Sequence, residues 1–257
     1  MSFWQRIRNS QVYRSIIRHP APKDRRHRII VVLMNLVLHL HPVSLPKYAL
    51  RLRFTWCMGG ITFFLFLVEI LTGVLLMFYY RPTAQYAYPD MVGLRDVVSF
   101  GILRELHRWA AHAMVITVML HMLRVVLTGS YKPPREFNWV VGVGLLVMTL
   151  LLSFTGYILP WDQLSIWAAT VGSNMLGATP VIGHQGPGHT WLTVDGIQWI
   201  TETSDIRYWV FGATTVDENT LNRFYVLHCI GIPVVAAFAC ALHFWRVRKD
   251  GGISGPL

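Results

Sequence analysis

Four long apolar runs constrain this chain more than any other feature of its sequence. They cover about residues 57–80, 106–127, 139–159 and 224–245, and a helix needs roughly 20 such residues to cross a bilayer. The third and fourth runs contain no Asp, Glu, Lys or Arg. Only 14% of the 257 residues are charged, against about 25% in a typical soluble domain. The pattern excludes an ordinary soluble enzyme and predicts an all-α integral membrane protein with four transmembrane helices.

Basic and acidic residues are concentrated in different segments between the runs, which lie on opposite sides of a four-span protein. The first 53 residues hold eleven Lys and Arg against one acid, whereas residues 160–222 hold one Arg and six acids. Because basic loops stay in the cytoplasm, we expect a multi-pass protein with both termini on the cytoplasmic side. The shorter apolar run Ile29–Leu40 follows several arginines and is expected to form an N-terminal amphipathic helix at the membrane interface.

These features divide the chain into three parts. We expect a basic N-terminal extension with the interfacial helix, a four-helix domain whose third and fourth spans are joined by an outer loop segment, and a short tail. The predicted boundaries are 1–53 for the extension, 54–248 for the four-helix domain, 160–222 for the outer segment within it, and 249–257 for the tail.

Histidines recur in the second and fourth runs at matching distances. His107 and His121 are 14 residues apart, and His228 and His243 are 15 apart. At 100° and 1.5 Å per residue, the two members of each set share one helix face and are about 21 Å apart along the axis. Each of these two helices thus offers one histidine near either membrane surface. Facing helices of a bundle commonly build such ligand sites.

Two imidazoles facing each other can bind a haem iron as its axial ligands. We expect His107 and His228 to hold an outer haem, and His121 and His243 to hold an inner haem. The alternative is that the histidines only hydrogen-bond between helices. That alternative explains a single histidine as well as haem does, but it explains two matched sets poorly. His112 has no partner at this spacing and is expected to be a packing residue.

Arginines lie on the water-facing side of each candidate ligand. A guanidinium matches the carboxylate of a haem propionate in a fork geometry, although arginines also anchor membrane helices at the surface. Arg246 follows His243 by three residues in the same way. The candidate propionate partners are Arg104, Arg108, Arg124, Arg135, Arg223 and Arg248.

Glycines repeat the histidine spacing on the first and third runs. Gly59 and Gly73 are 14 residues apart, and so are Gly142 and Gly156. Small residues at these depths would allow the helices to approach a flat macrocycle. The alternative is the ordinary use of small residues where membrane helices pack.

Several stretches carry a resemblance to a known family. They include C-M-G-G-I-T (57–62), F-Y-Y-R-P-T (78–83), H-R-W (107–109), K-P-P-R-E (132–136), G-Y-I-L-P-W-D-Q (156–163), R-F-Y-V-L-H (223–228) and G-I-S-G-P-L (252–257). In this order they resemble the four-helix cytochromes b of b6f-type complexes and, more distantly, the N-terminal half of mitochondrial-type cytochrome b. The resemblance extends over about residues 41–257.

The resemblance implies one subunit of a proton-translocating quinol–cytochrome c or quinol–plastocyanin oxidoreductase. Electrons would pass from an outer quinol oxidation site through two b haems to an inner quinone reduction site. The outer pocket would include Pro160, Trp161, Asp162 and Gln163, and a partner subunit would share it. The expected partners are a three-helix subunit carrying the P-E-W-Y segment that is absent here, a Rieske iron–sulfur protein and a c-type cytochrome, in a homodimeric complex surrounded by lipid and without nucleic acid.

The resemblance also implies that Cys57 carries an additional c-type haem through one thioether bond. From the sequence alone, a cysteine near the end of a span is more often a packing residue. The segment from Gly183 to Leu221 is longer than in the family; its His184 and His189 could be ligands, but they are expected to lie in a solvated loop. These departures favour a bacterial cytoplasmic membrane over a thylakoid. Glu69 is expected to be hydrogen-bonded or protonated within its span.

Two other functions are compatible with parts of the pattern. A dihaem membrane anchor of a dehydrogenase or hydrogenase would share the histidine arrangement, but it would not need P-W-D-Q or Cys57. A non-redox channel or scaffold would use the histidines only to pack its helices.

Overall fold

The computed structural model describes residues 2–17, 22–33, 35, 47, 51, 56–96 and 98–253. Apart from loops, one 3-10 turn at His189–Trp191 and one short hairpin, they are helical. The helices are α1 Phe3–Asn9, α2 Gln11–Ile16, α3 Arg25–Leu33, α4 Met58–Met77, α5 Ala87–Asp96, α6 Val98–Leu127, α7 Glu136–Ile158, α8 Gln163–Gly177, α9 Ile206–Phe211, α10 Glu218–Val226 and α11 Ile232–Lys249. A π turn at Leu227–Gly231 joins α10 to α11.

Within the described residues, four helical stretches are long and apolar enough to span a membrane. They are Met58–Met77, Gly101–Leu127, Glu136–Ile158 and Glu218–Lys249, and they confirm the predicted all-α, four-span fold class. Each of the last three stretches begins before its apolar run, because helical hydrogen bonding continues into polar residues.

Many large apolar side chains on the four spans stay exposed. Phe64, Leu71 and Phe238 are 64%, 66% and 64% exposed, as expected of surfaces that face lipid or partner subunits. Helix α3 contains the first part of the predicted interfacial helix, Ile29–Leu33, and Asn35 is described but not helical; position 34 and residues 36–40 of that prediction lie outside the described residues.

The chain divides into two compact units, and the first comprises residues 1–66, 112–149 and 234–257. Its core contains Phe66 from α4, Met114 from α6 and Ala236 from α11, all at most 7% exposed. A hydroxyl pair, Thr62 Oγ1 to Thr117 Oγ1 at 3.0 Å, links α4 to α6. Packing in this unit therefore fixes these helix segments against one another.

The N-terminal helices are attached to the first unit through a buried arginine. Arg246 is 1% exposed, and it donates to the backbone carbonyls of Ser15 at 2.5 Å and Ile16 at 3.1 Å. The Ser15 hydroxyl accepts the backbone N–H of Phe137 at 3.1 Å, and the Arg246 guanidinium lies over the Phe137 ring. The end of α2 is therefore held against α7 and α11.

The second unit comprises residues 67–111 and 150–233. Its core contains Ile158, Ala169, Phe211 and Phe224, each at most 2% exposed. The predicted outer loop segment belongs to this unit, yet much of it is helical.

Three acids of that outer segment serve as helix N-caps. Asp162, Asp205 and Asp217 accept backbone N–H groups at the starts of α8, α9 and α10. Such caps satisfy N–H groups that have no partner within the helix. Two short strands, β1 Thr193–Val194 and β2 Ile197–Gln198, pair antiparallel across Asp195-Gly196, whose positive φ angles of 52° and 76° suit a tight hairpin turn.

Candidate haem-binding sites

The structure brings the four predicted ligands together in two facing sets. The ring centroids of His107 and His228, in the second unit, are 6.1 Å apart. Those of His121 and His243, in the first unit, are 6.5 Å apart. With metal–imidazole bonds of about 2.0–2.1 Å and ring nitrogens about 1.1 Å from the ring centre, imidazoles on opposite sides of one metal have centroids about 6.3 Å apart. Both sets fit a bis-imidazole iron.

Each histidine ring has a glycine directly behind it. A Cβ atom built on any of the four predicted glycines would meet the Cε1 atom of one candidate ligand. The distances from that Cβ to Cε1 are 2.6 Å for Gly156 and His228, 3.2 Å for Gly73 and His107, 3.2 Å for Gly59 and His121, and 3.5 Å for Gly142 and His243. The glycines therefore make room for the imidazoles, and their expected approach to a macrocycle stays a prediction.

A threonine next to one of these glycines orients His107. The Thr72 hydroxyl lies 2.7 Å from the Val68 carbonyl and donates to it within α4, a common arrangement for Thr in helices. Its oxygen lies 2.8 Å from His107 Nδ1 and can accept the Nδ1–H. A proton on Nδ1 leaves Nε2 as the nitrogen that binds a metal.

His228 is oriented in the same way from α7. Its Nδ1 lies 3.2 Å from the Thr155 hydroxyl and 3.1 Å from the Leu152 carbonyl. The Thr155 hydroxyl itself donates to Leu151 at 2.8 Å. Both histidines of this site are therefore supported in the same way: a Thr-Gly dipeptide contacts Nδ1 through its hydroxyl and makes room for the ring with its glycine.

The backbone around His228 departs from regular α-helix. Residues Leu227–Gly231 form a π turn directly before Ile232 and Pro233. Proline lacks the N–H that would bond to the preceding turn, and π turns inside α-helices are frequent at functional sites. The helix is therefore locally wider at the turn that carries His228.

A cavity of about 120 Å³ adjoins the other site. His121, His243 and Gly142 line it together with Arg124 and Arg135. Within the described part of the chain, Arg135 Nε is buried without a hydrogen-bond partner. A buried guanidinium N–H that lacks an acceptor fits a carboxylate ligand, and a haem propionate would supply one.

Three of the other candidate propionate arginines donate to protein groups outside the cavity. Arg104 and Arg108 donate to the Glu105 carboxylate at 2.9 Å and 2.5 Å. Arg223 donates to the Trp209 carbonyl at 2.8 Å. Arg248 lies in the last turn of α11. Arg124 and Arg135 differ from these in position, because both line the cavity beside His121 and His243; that position favours them as carboxylate partners.

Cys57 lies at the start of α4, two residues before Gly59. It is exposed, and its carbonyl accepts the Ile61 N–H at 2.8 Å to open the helix. Its φ of 51°, like the 53° of Trp56, is in the left-handed region, which is uncommon for residues other than glycine. The thiol is thus presented from a tight turn in the unit that holds His121 and His243.

Three of the four residues predicted for the outer quinol pocket line a surface concavity of about 480 Å³. Trp161, Asp162 and Gln163 line it with Tyr88 and Leu164, and Pro160 directly precedes these residues. Asp162 accepts the Ser165 N–H at 2.8 Å. This residue therefore helps to begin α8 as well as to line the concavity.

The two histidines of the long outer segment have protein partners. His184 Nδ1 lies 2.5 Å from the Asp205 carboxylate, which is fully buried. His189 Nδ1 lies 3.0 Å from the Gly186 carbonyl. Burial alone would raise the pKa of Asp205, but hydrogen bonds from the Tyr208 N–H and from His184 outweigh burial and lower it. The His184–Asp205 contact therefore stabilises the outer segment.

Three residues at the His107 and His228 site were not predicted as site residues. Thr72 and Thr155 carry a signal in the sequence, since each directly precedes a glycine of the 14-residue repeat. Glu69 has Oε2 at 3.0 Å from His107 Nδ1, a contact that depends on the packing of α4 against α6.

Comparison with known proteins agrees with this geometry. Residues 43–195 match the family described as Cytochrome b/b6/petB. A protein named cytochrome b6 from Heliomicrobium gestii is 39% identical over 218 residues, which are 84% of this chain and 91% of that relative. Another of this name from Acaryochloris marina (strain MBIC 11017) is 40% identical over 203 residues, 79% of this chain and 85% of that relative.

A solved structure shares the fold over most of the chain. A chain of the "Hyperthermophilic respiratory Complex III" is 26% identical with a TM-score of 0.64, and the match covers 88% of this chain and 54% of that chain. This chain thus spans about half the length of that solved chain. The matched family is named for haem b proteins, and the two histidine sets have the spacing that an iron between them requires. The chain belongs to the cytochrome b/b6 family.

Proposed function

We propose that this chain is the cytochrome b subunit of a quinol–cytochrome c or plastocyanin-type reductase and that it holds two haem b groups. The observation that carries the proposal is the fourfold repeat of the site, in which each candidate ligand has its own glycine. Packing histidines would need neither paired rings at the separation of an iron site nor four glycines behind them.

Different residues would bind the iron, orient its ligands and bind the propionates. When bound, haem b supplies a one-electron carrier whose potential depends on its axial ligands and their surroundings. His107 and His228 would ligate the outer iron, and His121 and His243 the inner iron, each through Nε2. Thr72 and Thr155 hold the Nδ1 atoms of the outer ligands. Arg124 and Arg135 would bind propionate carboxylates of the inner haem.

The outer concavity supports a quinol site that is shared with other subunits. Trp161, Asp162 and Gln163 line it, and the chain lacks the P-E-W-Y segment that would complete it. We propose a three-helix subunit that carries this segment, a Rieske iron–sulfur protein and a c-type cytochrome as partners in a homodimeric complex. The relatives named cytochrome b6 and the Complex III neighbour support this assembly.

The sided charge distribution supports an orientation with both termini on the cytoplasmic side, and the long outer segment supports a bacterial cytoplasmic membrane. In that orientation the outer site would release protons outside and the inner site would take them up from the cytoplasm. Proton translocation would follow from these two positions.

We include a covalent c-type haem at Cys57 in the proposal. Its exposed thiol and its place beside Gly59 support attachment in the unit that would hold the inner haem b. Covalent haem should remain with the chain on a denaturing gel, stain the band of 29.4 kDa, and disappear in Cys57→Ala. An unstained wild-type band would contradict the covalent haem without touching the two b haems.

Quinol-dependent electron transfer tests the reductase itself. Membranes that contain the chain with its partner subunits should reduce a c-type cytochrome when a soluble quinol analogue is added, and His107→Leu should abolish the reaction. Turnover that persists in His107→Leu would contradict the proposal. Haem b that is reduced by a dehydrogenase substrate and never by quinol would favour the membrane-anchor function instead.

A further inference from the structure

The N-terminal residues 2–17 carry large apolar side chains on the protein surface. They form α1 and α2 and precede the region that matches the family, residues 43–195. Phe3, Trp4 and Val12 are 71%, 68% and 70% exposed. Large apolar side chains grouped on one short exposed segment mark an interaction surface.

Helix α2 has two faces with different surroundings. Gln11 and Ser15, four residues apart, share the face toward α7. Gln11 Nε2 donates to Glu136 Oε1 at 3.0 Å, and the Ser15 hydroxyl accepts an α7 backbone N–H at 3.1 Å. Val12 and Ile16 are also four apart and lie about 100° further round the helix, where both are exposed. One face of α2 is thus attached to α7, and an apolar face points away from it.

Helix α1 continues the apolar surface. Phe3, Trp4 and Ile7 lie within about 100° of one another around the helix, and the Phe3 and Trp4 rings meet edge to face. The Ser10 hydroxyl donates to the Ile7 carbonyl at 2.7 Å and accepts the Tyr13 N–H at 3.2 Å. Ser10 therefore ends α1 and caps α2, which fixes the bend between the two helices.

The charge on this segment is entirely basic. Residues 2–17 contain Arg6, Arg8 and Arg14 and no Asp or Glu, and all three arginines are exposed. Arg6 and Arg8 each lie about 100° from Ile7, on opposite sides, so they flank the apolar face of α1. An apolar face with aromatic rings, flanked by basic side chains, is typical of helices that lie in the membrane interface.

The attachment of α2 places this surface at the ends of two spans. Glu136, the partner of Gln11, begins the third span. Arg246, which donates to two carbonyls at the end of α2, lies in the last turn of the fourth span. The ends of spans lie at the level of the lipid headgroups. Lipid is present at this level in every membrane, whereas a protein partner would have to supply both an apolar and an acidic face.

We propose that residues 2–17 dock on anionic lipid at the membrane surface where the third span begins and the fourth ends. The apolar side chains of α1 and α2 enter the boundary between headgroups and acyl chains, and the three arginines bind lipid phosphates, which a guanidinium matches in a fork geometry. Because α2 contacts both α7 and α11, the docked segment braces the ends of these two helices. The inference does not depend on bound haem.

Hydrogen exchange of the intact complex in vesicles tests the docking. The complex is reconstituted at low salt into phosphatidylcholine alone or into phosphatidylcholine with phosphatidylglycerol, with no other protein added. The amides of α1 and α2 should exchange at least fivefold more slowly in the anionic vesicles. Arg8→Gln should lose about fivefold of that protection, the usual contribution of one basic residue near an anionic surface. High salt should weaken the protection, because it screens exposed charges.

Arg95→Gln is the matched control variant. It removes the same charge from an exposed side chain in the second unit, so exchange of α1 and α2 should stay at the wild-type rate. Trp4→Gln tests the apolar contact without changing the charge, and it should speed exchange of α1 in the anionic vesicles.

A spin label at Val12→Cys provides a second measurement on an otherwise unchanged chain, with the labelled wild type as background. Oxygen dissolved in the bilayer should reach this label better than a water-soluble nickel complex does. Better access for the nickel complex would overturn the inference, and so would equal exchange of α1 and α2 in detergent, neutral vesicles and anionic vesicles. Slow exchange that appears only when a soluble protein extract is added would overturn it as well, because the surface would then bind a protein.

Discussion

Replacing Gly156 by alanine should expel the haem that His107 and His228 hold. The built Cβ atom would lie 2.6 Å from His228 Cε1 and 3.1 Å from both ring nitrogens. Carbon atoms in good contact are about 3.5–4.0 Å apart. The ring or helix α7 must therefore move by about 1 Å to accept one methyl group.

The ring of His228 has little freedom to make that movement. Its Nδ1 is held by groups on α7 itself, the Thr155 hydroxyl and the Leu152 carbonyl, so any retreat of the ring breaks these hydrogen bonds. Overpacking of this kind costs about 1–3 kcal/mol. That cost corresponds to a roughly 5–150-fold loss of haem affinity.

The four glycines provide a graded series for one assay. Haem b content per purified chain, measured from the alkaline pyridine spectrum, should fall most for Gly156→Ala, less for Gly73→Ala and Gly59→Ala, whose Cβ separations are 3.2 Å, and least for Gly142→Ala at 3.5 Å. The matched control is Gly144→Ala on the same helix as Gly156, where a Cβ meets nothing within 4 Å.

The control is expected to keep its haem, since alanine favours a helix over glycine by up to about 1 kcal/mol. Full haem content in Gly156→Ala would refute the reasoning. So would an equal loss in Gly144→Ala, because the effect would then come from the helix and not from the ring behind which the glycine lies.

Two further predictions concern attachments outside the sites. Asp205→Asn should expose the outer segment to proteolysis, because a fully buried acceptor of the His184 contact loses its charge, at a cost of about 1–3 kcal/mol. The folded pKa of Asp205 is lowered, so its carboxylate stabilises the folded outer segment above about pH 4. That stabilisation is lost as the pH falls further through the folded pKa. Hydrogen exchange of this segment should show the loss in the wild type but not in the variant. Arg246→Met should release residues 2–17, since Arg246 donates to the Ser15 and Ile16 carbonyls, and faster exchange confined to these residues would be the sign; unchanged exchange would contradict the attachment.

The sequence predicts which histidines face each other, because helix geometry converts spacing into position. A 14-residue interval returns to nearly the same face, so His107 and His121 could be matched to the fourth run without knowledge of the fold. The same periodicity related Gly59 to Gly73 and Gly142 to Gly156. It could not say that each glycine lies behind an imidazole, because that depends on how closely two helices approach.

Contacts between distant segments are less visible in the sequence. Arg246 has the sequence position of a residue that flanks a haem ligand, yet its guanidinium holds carbonyls more than 200 residues away in the chain. In the sequence, Asp205 is one of six acids in the predicted outer loop segment. In the structure it is a buried helix cap and the partner of His184. Side-chain hydrogen bonds of this kind follow from tertiary packing and not from local pattern.

The most direct test of the two haem sites is the haem b content of single-ligand variants of the intact complex. The wild type should contain two haem b per chain with separate redox transitions. His107→Leu should remove one of these transitions and His121→Leu the other. A wild type with one haem b, or the loss of the same transition in both variants, would contradict the assignment of His107 with His228 and His121 with His243.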